Sequence, residues 1–90
     1  MKIRNGFVLR KVGDTMMVLA TGAACDSFSG MITLNESGAL LWRALEQDRT
    51  KQELLELMLS EYAVDASVLS CDIDRFLHTM RTHGLLDETH

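Results

Sequence analysis

The sequence has no long apolar run. A helix needs about 18 consecutive apolar residues to cross a bilayer, and no stretch of these 90 residues approaches that length. The segment that follows Met1 is charged and interrupted, unlike a secretory signal peptide. These absences argue against a membrane protein and predict a cytoplasmic location.

Cysteine and histidine are scarce and badly spaced for chemistry. Cys25 and Cys71 are far apart in the sequence, and in a reducing compartment such a pair is better interpreted as two free thiols than as a disulfide. His78 and His83 are five residues apart, whereas a metal-binding pair on a helix needs a spacing of four. Cys25 has no histidine near it in the sequence, and Cys71 and His78 are two helical turns apart, too far to share one ion. We therefore expect no catalytic residue, no metal site and no cofactor.

Positive charge is too sparse for a typical nucleic-acid-binding protein. The formal net charge is −4, and the +4 carried by the first thirteen residues leaves −8 for the remainder. DNA-binding proteins usually concentrate Lys and Arg on the recognition element, where they displace phosphate counterions. The predicted third helix instead carries Asp65, Asp72 and Asp74 against Arg75 and Arg81. The charge argues against a nucleic-acid partner, although a winged-helix DNA-binding regulator remains the alternative interpretation.

The chain does have enough apolar residues for one hydrophobic core. Of its 90 residues, 47% are hydrophobic, and a chain of this size buries about 60 to 65% of the surface that it exposes when unfolded. There is no room for a separate catalytic domain. We therefore expect a single domain over residues 1–90.

The first half of the chain predicts a small antiparallel sheet. The apolar runs Phe7–Val12 and Thr15–Ala20 are separated by two residues, of which the first is Gly13, a pair that suits a type II′ hairpin turn. Small and polar residues over Thr21–Gly30 predict a loop. Met31–Leu34 is long enough for a third short strand.

The second half predicts three helices. Asn35 is a favourable N-cap for a helix over about Glu36–Gln47, since its side-chain oxygen can accept a hydrogen bond from a first-turn amide. A second helix begins at Thr50, which is spaced for a capping box with Glu53.

The third predicted helix begins near Ala66, with Asp65 or Ser67 as its cap, and ends at Gly84 in the left-handed region. Leu85 and Leu86 should then fold back on the core. The helical residues that we expect to be buried are Leu41, Trp42, Leu45, Leu54, Leu57, Met58, Tyr62, Leu69, Ile73, Phe76, Leu77 and Met80.

Several short segments, in their order and spacing, resemble the PqqD family over nearly the whole chain. These segments are Gly6–Arg10, Leu34–Ala39 followed by Trp42, Thr50–Leu54, Glu61–Asp65 and the ending from Phe76-Leu77 to Gly84–Leu86. The resemblance implies an α+β fold in which a three-stranded antiparallel sheet precedes three helices, arranged like a winged helix-turn-helix. The chain departs from the family at Cys25–Ser29, because the family usually has glycine and proline there and this chain has no proline.

The resemblance also implies a function. PqqD-like proteins are non-catalytic peptide-recognition modules of pyrroloquinoline-quinone biosynthesis and of related pathways that modify ribosomal peptides. They hold the leader segment of a precursor peptide for a modifying enzyme, commonly a radical S-adenosylmethionine (radical SAM) enzyme. The partners that this implies are a precursor peptide and such an enzyme.

The free edge of a three-stranded sheet can bind a peptide as an added strand. By family analogy and helical spacing, the residues that we expect to bind it are Met31, Ile32 and Thr33 on the third strand and Val68, Asp72, Arg75, Phe76 and Thr79 on the third helix. Arg75 is suited to pair with an acidic residue of the leader. Two copies of the chain can also pair through the same edge, so a homodimer stays open.

Overall fold

The computed structural model describes residues 1–21 and 32–88. Cys25, Met31 and all but the first residue of the predicted Thr21–Gly30 loop lie outside this part of the chain. The elements are, in chain order, β1 (Lys2–Ile3), β2 (Phe7–Val12), β3 (Thr15–Ala20), β4 (Ile32–Leu34), α1 (Glu36–Ala44), α2 (Lys51–Glu61), α3 (Ala66–Thr82) and β5 (Leu86–Asp87).

Strands β2, β3 and β4 form the predicted antiparallel sheet, with β3 in the centre. The hairpin of β2 and β3 has the predicted bounds and closes where Val12 faces Thr15. Gly13 has a φ of 62°, and no non-glycine residue in the described ranges has a positive φ. This combination fits a type II′ turn, which needs a positive φ at its first central residue only.

Hydrogen-bonding directions alternate along each strand of this sheet. In a hairpin with a two-residue turn, the two residues that flank the turn are hydrogen-bonded to each other, and so is every second pair after them. Met17 of β3 therefore bonds to β2. The residues on either side of Met17 therefore bond to β4, where they face Ile32 and Leu34. Thr33, opposite Met17, directs its N–H and C=O away from β3. The outer edge of β4 thus presents the backbone groups of Thr33.

Helix α1 begins as predicted and ends earlier than predicted. Asn35 Oδ1 accepts a hydrogen bond of 2.8 Å from the Gly38 amide, which is the N-cap contact expected. The helix ends at Ala44 rather than at Gln47. Arg49 contributes to this ending, because its Nε donates to the Ala44 carbonyl at 2.9 Å. This bond takes the place of the backbone amide that would bond to the same carbonyl in a longer helix.

Helix α2 has the predicted capping box. The Glu53 amide donates to Thr50 Oγ1 at 3.2 Å, and the Thr50 amide donates to a Glu53 carboxylate oxygen at 3.0 Å. These reciprocal bonds fix the start of α2 by local chemistry alone.

Helix α3 ends in a Schellman motif at Gly84, whose φ is 71°. The Leu85 amide donates to the Met80 carbonyl at 2.8 Å, and the Gly84 amide donates to the Arg81 carbonyl at 3.0 Å. At the other end Asp65 is the N-cap residue, but its side chain makes no capping hydrogen bond. The left-handed ending is as predicted, and the side-chain cap is absent.

One hydrophobic core joins the helices to the central strand. Every helical residue predicted to be buried lies in it except Leu57 and Tyr62, which are partly exposed and pack against it. Val18 of β3 is completely buried. No helix in the part of the chain that the structure describes is long and apolar enough to cross a bilayer.

A second, two-stranded sheet was not predicted. Strand β1 pairs antiparallel with β5, so that Ile3 faces Leu86, and the Ile3 amide donates to the Leu45 carbonyl at 2.8 Å. Leu85 is fully buried and Leu86 partly so, in line with the expected return of this segment to the core. Each strand is only two residues long, too short for a periodic signal in the sequence.

Candidate functional site

A groove of about 490 Å³ lies between β4, the start of α1 and one face of α3. We call it the β4–α3 groove. Its lining residues are Ile32, Thr33, Leu34, Asn35, Ser37, Gly38, Leu41, Asp72, Arg75, Phe76, Thr79 and Met80.

The strand wall of the groove is an open sheet edge. In the described residues β4 pairs with β3 alone, and the outward N–H and C=O of Thr33 lie on its other side. The Thr33 side chain is exposed, whereas Ile32 and Leu34 are partly buried and pack against the core. An extended chain that ran along β4 would find hydrogen-bonding groups without breaking any bond to β3.

The helix wall of the groove is polar at its rim. Asp72, Arg75 and Thr79 follow helical spacing on α3, and all three are exposed. The Thr79 hydroxyl donates to the Arg75 carbonyl at 3.0 Å, so it is already engaged within the helix. Arg75 forms no ion pair with any carboxylate of the described residues. Its guanidinium therefore has donors to offer to a ligand.

Side chains of the core form the apolar floor of the groove. Leu41 is 2% exposed, Phe76 is 8% exposed and Met80 is fully buried. These residues belong to the core and leave little exposed surface at the floor, most of it on Phe76. The floor can bury an apolar side chain of a bound peptide.

The structure brings most of the predicted binding residues together. Those that line the groove are Ile32, Thr33, Asp72, Arg75, Phe76 and Thr79. Val68 lies one turn before Asp72 on α3, is 48% exposed and does not border the groove. Met31 is outside the described residues.

Sequence reasoning missed the contribution of α1, which includes Gly38 and Leu41. A Cβ atom on Gly38 would lie 3.2 Å from Asn35 Oδ1 and 3.3 Å from the Leu34 Cβ. Glycine thus lets the first turn of α1 approach the end of β4 closely. The signal in the sequence was a glycine in the first turn of a helix, where it lowers helix propensity and so needs another reason.

Within residues 1–21 and 32–88, no three His, Cys, Asp or Glu side chains come together to hold a metal ion. Hydrogen bonds of 2.7 to 3.0 Å between Arg81 and Glu88 raise the pKa of Arg81 and lower the pKa of Glu88. Neither residue lines the groove. The geometry suits binding through backbone, apolar and cationic groups.

Two solved structures have the same fold. One is TbiB1 in complex with the TbiA(beta) leader peptide, with a TM-score of 0.77 and 23% identity over 100% of this chain and 99% of that one. The other is lasso peptide synthetase B1 complexed with the leader peptide, with a TM-score of 0.72 and 19% identity over 93% of each chain. At these identities the likeness establishes the fold.

Comparison at the level of sequence identifies the family. None of the curated proteins matches the chain. The family model of coenzyme PQQ synthesis protein D (PqqD) matches residues 14–86, which include β3, β4, the three helices and every described residue of the β4–α3 groove. The chain therefore belongs to the PqqD family.

Proposed function

We propose that residues 1–90 act as one non-catalytic domain that binds the leader segment of a ribosomal precursor peptide along β4. The proposal rests on one observation: the N–H and C=O of Thr33 point away from the sheet, beside a groove with an apolar floor. Two proteins of the same fold were solved with leader peptides bound, which supports a peptide as the ligand.

The leader binds by adding a strand to the sheet. Its backbone exchanges hydrogen bonds with the N–H and C=O of Thr33, and its side chains alternate between the two faces of the added strand. Alternate side chains then enter the groove and rest on its apolar floor, where Phe76 is more exposed than Leu41 and Met80. Backbone bonds supply affinity, while the shape of the groove selects the side chains.

The rim of α3 adds charge recognition. Arg75 pairs with an acidic residue of the leader, since its guanidinium has no carboxylate partner within the described residues. Val68 lengthens the helix wall by one turn beyond the groove. Met31 stays a predicted contact of the leader.

The bound leader is then presented to a modifying enzyme, which supplies the chemistry in the cytoplasm. A radical SAM enzyme is the partner class that the family favours. Pairing of two copies through β4 would cover the same backbone groups, so a homodimer of that kind and the leader compete for one edge.

A direct test is calorimetric titration of the protein with the leader of the precursor peptide that is encoded beside its gene. We expect saturable binding to one site, and no binding of a scrambled leader. Equal binding of both peptides, or of neither, would rule out the proposed recognition.

The charge contribution is tested by Arg75→Gln. Loss of a charge-assisted hydrogen bond should weaken leader binding by about tenfold, the lower end for bonds to charged groups. Arg81→Gln is the matched control, because Arg81 is on the same helix and away from the groove. If both substitutions weaken binding equally, Arg75 has no specific contact with the leader.

A further inference from the structure

A second cleft, of about 370 Å³, is lined by cations from separate elements. Lys2 comes from β1, Arg4 from the segment after it, Arg10 from β2 and Arg43 from α1. Among the described residues that line this cleft, Glu46 is the one acidic side chain. We call it the basic cleft.

The cations of the basic cleft are not neutralised within the described part of the chain. No carboxylate there forms an ion pair with any of the four. Within residues 1–21 and 32–88, Arg4 and Arg10 donate to backbone carbonyls alone, those of Gly84 at 3.3 Å and Leu9 at 3.1 Å. These like charges repel one another when no anion lies between them. Although the net charge of the protein is −4, this cluster of cations is complementary to an acidic partner.

The basic cleft also runs along a sheet edge. Among the described residues β2 pairs with β3 alone, and the register of the hairpin directs the backbone groups of Leu9 and Lys11 outward. The Arg10 guanidinium lies against the outward Leu9 carbonyl. An extended segment that lay here would find backbone partners and cationic side chains together.

Protection against aggregation explains only part of this arrangement. Charged residues on an edge strand prevent unwanted pairing between sheets, and that role accounts for Arg10 and Lys11. It does not account for Lys2, Arg4 and Arg43, which reach the same cleft from outside β2.

No described residue lines both the basic cleft and the β4–α3 groove. Helix α1 contributes to both, through Gly38 and Leu41 on the groove side and through Trp42 and Arg43 on the cleft side. On average these two pairs project from the helix about 120° apart, given 3.6 residues per turn. One ligand can therefore occupy each site at the same time.

We propose that the basic cleft docks an extended, acidic segment of a partner protein. The segment lies along β2, and its carboxylates pair with Lys2, Arg4, Arg10 and Arg43. This docking does not depend on leader binding, so each site can be tested while the other is empty.

The probe for this proposal is a short fluorescent peptide of alternating Glu and Val, titrated into the full chain. Amide NMR shifts are expected around Lys2–Arg4, Leu9–Lys11 and Arg43, and affinity should fall as salt rises. The same peptide with Lys in place of Glu should not bind. Shifts confined to the β4–α3 groove would overturn the proposal.

Charge reversal locates the interaction. Arg10→Glu should weaken binding of the acidic peptide by at least about tenfold, as expected for a close charge pair. Lys51→Glu makes the same change of net charge at an exposed site outside the cleft, and should alter affinity by no more than about twofold. Equal losses would show general attraction of charge and refute docking in the cleft.

Two further measurements complete the test. Arg10→Gln, with circular dichroism melts of each variant, separates lost binding from lost folding, because the neutral side chain adds no repulsion. A single-stranded oligonucleotide of matched charge serves as competitor. If it binds the cleft more tightly than the peptide does, the partner is a nucleic acid and the proposal is wrong.

Discussion

Trp42, the only tryptophan of the sequence, is a residue of the hydrophobic core. Its side chain is 2% exposed and lies in the core together with Leu41 and Leu45. An exposed aromatic ring would be available to stack on a ligand, but this ring has almost no surface left for one. Trp42 is therefore a structural residue, even though it borders the basic cleft.

Replacing Trp42 with alanine should cost about 3 to 5 kcal/mol of unfolding free energy, because it leaves a large cavity in the core. Urea denaturation of the parent and the variant measures the change. Val64→Ala is the control, since Val64 is 44% exposed and such a substitution usually costs less than about 0.5 kcal/mol. A loss below about 1 kcal/mol in Trp42→Ala would contradict its assignment to the core.

Single residues were predictable where the chemistry is local. The caps at Asn35 and Thr50 use partners three residues away, so the sequence contains everything needed to place them. Asp65 has a similar side chain and makes no capping bond, which spacing alone does not reveal. The close approach around Gly38 depends on where β4 meets α1, and so on the folded chain.

Strand β4 is the element on which leader binding depends. Because Thr33 directs its N–H away from β3, proline at this position removes an outward donor and breaks no bond within the sheet. Proline is tolerated at such edge positions.

We expect Thr33→Pro to weaken leader binding strongly while lowering stability less than Trp42→Ala does. Thr33→Val is the matched control, since it keeps the backbone donor in a residue suited to strands. Thermal melts and leader titrations of both variants are needed together. Should Thr33→Pro stay folded and bind the leader as the parent does, the leader does not add a strand to β4.

The elements divide into those fixed by nearby residues and those fixed by distant ones. The hairpin has its predicted bounds because a two-residue turn and a period of two determine it locally. The early end of α1 involves Arg49, and β1 requires β5 from the other end of the chain. Neither contact leaves a periodic pattern, so both were missed.

Charge at the scale of the whole molecule opposes binding to DNA. The net charge is −4, and Asp72 lies beside Arg75 on the exposed face of α3. With few cations to release phosphate counterions, affinity for duplex DNA should be no tighter than about 10⁻⁴ M at physiological salt. Fluorescence anisotropy with unrelated duplexes measures it. Tight binding that depends on sequence would favour the alternative, a winged-helix regulator.

The elements could be anticipated because each segment favours one of them, and their arrangement was implied by the resemblance to the PqqD family. The groove was only partly predictable. Spacing places Asp72, Arg75 and Thr79 on one face of α3, but that α1 completes the floor through Leu41 follows from how the elements pack.

A leader strand added to β4 can be observed by NMR. Nuclear Overhauser effects between backbone protons of the leader and those of the labelled protein report which strand the leader lies beside. We predict contacts from the leader backbone to Thr33, together with contacts from its side chains to Phe76 across the groove. Contacts to β2 or to α2, with none to Thr33, would show that the leader does not add a strand to β4.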